Sequence, residues 1–214
     1  MPALPFYDRR AAGVTLARAL FPRDRCVVLG IARGGVVVAA AVGAALAAPL
    51  DVIVVRKVGH PMQPELAIGA VSVDGDAVTT EHAAGLPRSL VPALFATARE
   101  KAVALDQRLR GDLPSIQLEG RPAIIVDDGI ATAATMLCAI ETVRKRKASF
   151  ITVAVPVAPA DCAFALRSHC DELVVLVASR DLPFAVGRFY FSFAEVSDDR
   201  VREELDRARA RGAA

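Results

Sequence analysis

The feature that most constrains this chain is a short run of β-branched and other apolar residues that recurs along it and alternates with helical stretches. CVVLGI (26–31), DVIVVRK (51–57), PAIIVDD (122–128), SFITVAVPV (149–157) and ELVVLVA (172–178) are such runs. Strands that are apolar throughout, rather than at every second position, are those covered on both faces, and strand–helix–strand order builds a parallel sheet through right-handed crossovers. The expected fold class is therefore α/β, a three-layer sandwich with a central parallel sheet.

The segments between these runs fill in the organisation. Helical patterning is expected over residues 7–20, from the glycines at 34–35 to about 47, over 88–110 and 133–145, briefly over 161–168, and over a charged stretch at 197–211. LAIGAVSVDGDAVTT contains Asp74-Gly75, a hairpin turn signal, and GHPMQP before it, between 58 and 64, reads as a loop with little capacity to bury itself. Much of the aromatic content follows residue 179. The whole, 1–214, reads as one domain, with a small hood formed by the N-terminal helix and residues from about 179 to 214.

Charge and cysteine usage exclude several functions. Lys plus Arg number 26 against 24 Asp plus Glu, so a net charge of +2 exerts no general pull on nucleic acid or an anionic membrane. Any anion has to be caught locally. Cys26, Cys138, Cys162 and Cys170 form no C-x-x-C pair and sit mostly in apolar runs, as free thiols do in a reducing compartment. The opening MPALPFYDRRAAGV lacks the pattern of a secretory leader. The uncharged stretch 34–50 is Ala-rich and slightly short for a membrane span, so a buried helix is expected there. A cytoplasmic protein with neither nucleic acid nor membrane as partner is the resulting expectation.

In an open parallel sheet, ligands bind beyond the carboxyl ends of the strands. Two of those ends are unusual. The first carries Asp127 and Asp128, then Gly129, Ile130, Ala131, Thr132, Ala133, Ala134 and Thr135. A loop of small residues and hydroxyls running into a helix offers backbone N–H groups at a positive helix end, which suits a phosphate. The acids would repel that phosphate and better accept hydrogen bonds from sugar hydroxyls. A helix N-cap after an ordinary strand-end acid accounts for one Asp, but less well for two acids with paired threonines. The second end is Arg33, Gly34 and Gly35 after CVVLGI, where glycines let an anion approach the main chain. Gly-Gly is by itself more often a tight turn than a site. Arg56 and Lys57 add two adjacent cations, which either serve that anion or reach into solvent.

AIIVDDGIATAATM resembles the phosphoribosyl pyrophosphate (PRPP) motif of type I phosphoribosyltransferases, and ARGG resembles their pyrophosphate loop. DVIVVRKVGHPMQPELAIGAV and FAVGRFYFSFAEVSDDRV resemble segments of a bacterial subgroup of that family, so the likeness covers nearly the whole chain. The resemblance implies a phosphoribosyltransferase that moves the 5-phosphoribosyl group from PRPP to a nitrogenous, nucleobase-like acceptor and releases pyrophosphate. It implies that Asp127 and Asp128 bind the ribose hydroxyls and that residues 129–135 wrap the 5′-phosphate. Arg33, Gly34 and Gly35 would hold pyrophosphate, with a cis peptide between Arg33 and Gly34. Arg56 and Lys57 would neutralise the leaving group, and residues 58–66 would close over it. Mg²⁺ is expected to arrive with PRPP, without a protein cage, near Asp127 and Asp128. A homodimer is compatible with the family.

Two departures from the family pattern stand out. Ala133 replaces a usual glycine and would be strained at positive φ by roughly 1 to 2 kcal/mol. Ala131 stands where purine-salvage members carry an acid that handles a proton. The rival expectation is a non-catalytic PRPP- or nucleotide-binding regulator of the same fold. Three further features have two readings each. Residues 144–147, RKRK, form a nucleic-acid patch or the cationic end of a helix. His60 and Glu65 are catalytic or ordinary loop polarity. Phe184, Phe189 and Tyr190 stack on an acceptor or form the hood's core.

Overall fold

A computed structural model describes residues 5–20 and 24–212. Residues 1–4, part of the stretch read above as lacking a leader, lie outside the described residues. The parallel sheet consists of β1 (Val27–Ile31), β2 (Leu50–Ile53), β6 (Pro122–Val126), β7 (Phe150–Pro159) and β8 (Glu172–Ser179), in the order β2-β1-β6-β7-β8. Each neighbouring pair is parallel. The helices are α1 (Arg9–Arg18), α2 (Gly34–Ala45), α3 (Leu90–Arg110), α4 (Ala133–Lys145), α5 (Ala160–Leu166) and α6 (Asp198–Gly212).

Strand alternation explains the three layers. Val28 of β1 and Ile124 and Val126 of β6 face a core completed by Val36, Val38 and Val42 of α2, Leu16 of α1 and Leu205 of α6. Val27 and Leu29, with Ala123 and Ile125, face the opposite core, closed by Met136, Ile140 and Val143 of α4 and Leu166 of α5. With both faces covered, polar positions inside the sheet are rare. The chief exception is Asp51, 2% exposed, which forms a buried ion pair with Arg110 of α3 and accepts the N–H of Ile116 at 2.8 Å.

Three expectations are corrected. DVIVVRK is not one strand. β2 ends at Ile53, and the chain leaves the parallel sheet to begin β3 (Val55–His60), which pairs antiparallel with β4 (Gln63–Ser72), itself paired with β5 (Ala77–Thr79). A continuous apolar run reports burial but not which strand it pairs with. The supposed loop at 58–66 is the tip of that hairpin, because β3 runs to His60 and β4 resumes at Gln63. A third core seats this small sheet on α3 through Val58, Ile68, Val71 and Ala98. Finally, α6 does not belong to the hood but packs on α2, α3 and β2. The hood proper is an aromatic cluster of Phe6, Phe184, Phe189, Tyr190 and Phe193 over Val157 of β7.

No described helix is long and apolar enough to cross a membrane. Arg110→Ala would leave Asp51 buried without its cation. The expected outcome is a loss of about 3 to 5 kcal/mol of unfolding free energy, measured by denaturant titration.

Candidate active site

β1 and β6 are adjacent in the sheet, yet their helices leave to opposite faces: α2 joins one core and α4 the other. A crevice opens beyond strand tips wherever this happens, and both loops singled out in the sequence meet there.

Their contact is intimate. A methyl group placed on Gly34 would lie 2.0 Å from Asp128 Oδ2, and one on Gly35 would lie 2.7 Å from the Val126 carbonyl oxygen and 2.9 Å from Asp127 Oδ1. At Gly35 the obstacle is main chain, and at Gly34 a side chain would displace the Asp128 carboxylate, which gives the Gly-Gly pair a packing reason. Asp127 Oδ1 also accepts the Asp128 N–H at 2.8 Å. The cis peptide lies between Ala32 and Arg33, one bond earlier than expected. Ala32 is still bonded to the sheet, its N–H donating to Ile53 at 3.0 Å, so the chain turns away immediately after it.

Burial pushes the Asp127 carboxyl well above the usual carboxylate range, and the neighbouring charge of Asp128 pushes it further. Burial raises Asp128 too, against the opposing charge and hydrogen bond of Arg9. Arg9 is the residue that the sequence did not disclose. Its Nε donates to Asp128 Oδ2 at 2.7 Å, its Nη1 donates to the Ala194 carbonyl at 2.7 Å, and its guanidinium lies 3.7 Å from the centre of the Phe193 ring. Tyr190 donates its hydroxyl to the Asp128 carbonyl at 2.5 Å. Tyr190 is 4% exposed and lies against Phe6 and Phe193, so it belongs to the hood's core. Nothing local marks Arg9 among the basic residues. Only the preceding Asp8 carries a signal, as the N-cap of α1.

The loop after the acids divides. Gly129 and Ile130 are buried, and the Ile130 N–H is spent on the Val157 carbonyl at 2.9 Å. Ala131 and Thr132 are exposed, Ala133 and Thr135 half-buried, and Ala134 buried. Thr132 is the N-cap of α4 but makes no side-chain capping bond. The first turn therefore presents a positive helix end that Thr132 does not cap, with the Cys162 side chain near the Ala133 N–H. Ala133 opens α4 with a negative φ, so the strain considered for its methyl group does not arise.

Arg56 shares a cavity of about 410 Å³ with Arg9, Arg33, Gly34 and Phe193. Arg33 is largely engaged. Its Nη1 donates to Glu195 Oε1 at 3.2 Å, and its Nε sits 2.8 Å from Asp198 Oδ1 without the alignment of a hydrogen bond. Lys57 reaches across the hairpin to the Glu65 carbonyl at 3.1 Å, and with His60 and Lys101 it borders a second cavity of about 360 Å³. The Glu65 side chain is fully exposed. Arg144, Lys145, Arg146 and Lys147 each pair with an acid, respectively Glu141, Asp76, Asp74 and Glu119, which favours the helix-end reading of that run. Burial, with the charge of Asp76, raises the Cys138 thiol to about 12, as befits an inert core thiol. Among the described residues no cluster of three or more His, Cys, Asp or Glu could hold a metal ion.

With fold and site in view, comparison with known proteins places the chain. A sequence profile described as the phosphoribosyl transferase domain matches residues 10–189. The chain belongs to that family. Proteins of two Mycobacterium tuberculosis strains, provisionally named as phosphoribosyl transferases, are each 43% identical over 208 residues, which are 95% of this chain and 47% of theirs. The chain thus spans about half the length of these relatives. The crystal structure of TT1426 from Thermus thermophilus superposes with a TM-score of 0.80 at 39% identity, covering 94% of this chain and 97% of that one.

The acid pair has a measurable signature. A carboxyl whose pKa is raised on folding contributes stability that is present at low pH and lost as pH rises through the raised value. Asp127→Asn removes that loss. The melting temperature of the variant relative to the parent is therefore expected to rise as pH increases above the ordinary carboxylate range, by about 2–4 °C for each kcal/mol recovered. Thermal melts of both proteins from that range upward check it.

Proposed function

We propose that this chain transfers the 5-phosphoribosyl group from PRPP to a nitrogenous, nucleobase-like acceptor and releases pyrophosphate. The observation that carries this reading is the meeting of Gly34 and Gly35 with Asp127 and Asp128 beside the open N-terminus of α4. The three parts suit three parts of one ligand. The α4 terminus, with Thr132 and Thr135, takes the 5′-phosphate. The two carboxyl groups take the ribose hydroxyls, and the 33–35 turn with Arg56 takes pyrophosphate.

Departure of pyrophosphate leaves an oxocarbenium-like sugar. Catalysis then comes from cations facing the leaving group and from carboxylates close to the developing positive charge, with no covalent nucleophile. Lys57, on the same hairpin as Arg56, joins the leaving-group side when Glu65 releases it. Two carboxyl groups served by one guanidinium leave room for further positive charge. That donor set fits Mg²⁺ held mainly by phosphate and sugar oxygens, where it would offset charge on pyrophosphate.

A second reading, a non-catalytic PRPP or nucleotide sensor, draws support from Ala131, which leaves the loop without an acid to manage the acceptor's proton. Pyrophosphate release from PRPP and Mg²⁺ with a panel of bases and amines separates the two. The enzyme reading requires release that depends on an acceptor. Binding of PRPP with no release under any acceptor would favour the sensor. The Asp127→Asn, Asp128→Asn double variant is expected to keep its fold and lose at least about 100-fold in PRPP turnover. Circular dichroism and the pyrophosphate assay report the two halves of that expectation.

A further inference from the structure

The acid assigned to the ribose is gripped by a residue from the far end of the chain. Arg9 and Asp128 are 119 positions apart, and their side chains are 11% and 15% exposed. An exposed pair of this kind would contribute little. This one is held in three ways: Arg9 donates Nε to the acid and Nη1 to the Ala194 carbonyl, and lays its flat face on Phe193. A lysine supplies charge but neither the fork nor the plane.

We infer that Arg9 is a positioning residue for the sugar half of the ligand, fixing the Asp128 carboxylate for a ribose hydroxyl and tying that acid to the hood. The inference rests on the proposed function. Stability alone does not call for such a group, since a buried ion pair is commonly matched or exceeded by apolar residues of similar size. An arginine here makes physical sense if Asp128 has to be charged and held in one orientation when the ligand arrives. The hood supplies the rigidity. Ala194 and Phe193 hold Arg9 from above, and Tyr190 holds the Asp128 main chain. The turn of residues 33–35 lies on the other side, and a methyl group on Gly34 would come within 3.0 Å of Arg9 Nε. Because Arg9 is committed to Asp128, it acts on the sugar and not on pyrophosphate, although it borders the cavity that holds Arg33 and Arg56.

That division sets the test. Dissociation constants for ribose 5-phosphate, PRPP and inorganic pyrophosphate, each with Mg²⁺, are measured by calorimetry on the full chain. In Arg9→Gln, ribose 5-phosphate and PRPP are expected to weaken about tenfold or more, and pyrophosphate by less than about twofold. Arg9→Lys should recover part of the loss, and Arg10→Gln, at the exposed neighbouring position, should change nothing. If Arg9→Gln fails to fold, Arg9→Lys carries the comparison, with an expected loss of about threefold on the sugar ligands alone. Unchanged sugar affinity in a folded variant overturns the inference, as does an equal loss for pyrophosphate, which would make Arg9 an anion ligand. A parent protein that binds neither ribose 5-phosphate nor PRPP overturns the proposed function itself, and the inference with it.

Discussion

The structure depends on one constraint, that every strand of a parallel sheet be covered on both faces while its connections stay right-handed. With β1 and β6 as neighbours, that constraint sends α2 and α4 to opposite faces and leaves a gap at the strand tips which no helix closes. The turn at 33–35 and the loop at 127–135 border this gap. The glycines and the small residues follow from it, because two main chains approach there within contact of each other's side chains.

Charge at the site is organised by scarcity. Cations nearly balance acids over the whole chain, and most of those near the crevice are already engaged. Arg9 holds Asp128, Arg33 faces Glu195 and Asp198, and Lys57 reaches toward Glu65. The crevice therefore carries backbone dipoles and a few engaged cations in place of a broad basic field. Under the proposed function, selectivity would come from geometry, since a ligand would have to offer phosphate, hydroxyls and a second anion at fixed separations to use all three parts.

Much of this was legible in the sequence, and the limits have physical causes. Apolar runs report burial, so the parallel strands and the helices between them could be read from residue types alone. The same property concealed the break in DVIVVRK, where Val55 pairs with Ser72 in a different sheet although its burial resembles that of Val52. GHPMQP looked too polar and too rich in proline for structure, but pairing His60 with Gln63 needs only a two-residue tip. The charged C-terminal helix looked peripheral, yet it buries Val201 and Leu205 against α2. For Ala133 the strain depended on a backbone angle that residue type does not specify.

The order of residues by itself determined the α/β architecture and the two strand-end loops, because burial on two faces and close main-chain approach each demand particular side chains at particular spacings. It also determined that two acids stand together at one strand tip. Only the tertiary structure decided what those acids face. The partnership of Arg9 with Asp128, the seat of Tyr190 on the Asp128 carbonyl and the packing of Gly34 against the acid join segments far apart in the chain. Contacts of that kind leave no local periodicity to read, since they arise when separate elements dock on a common core.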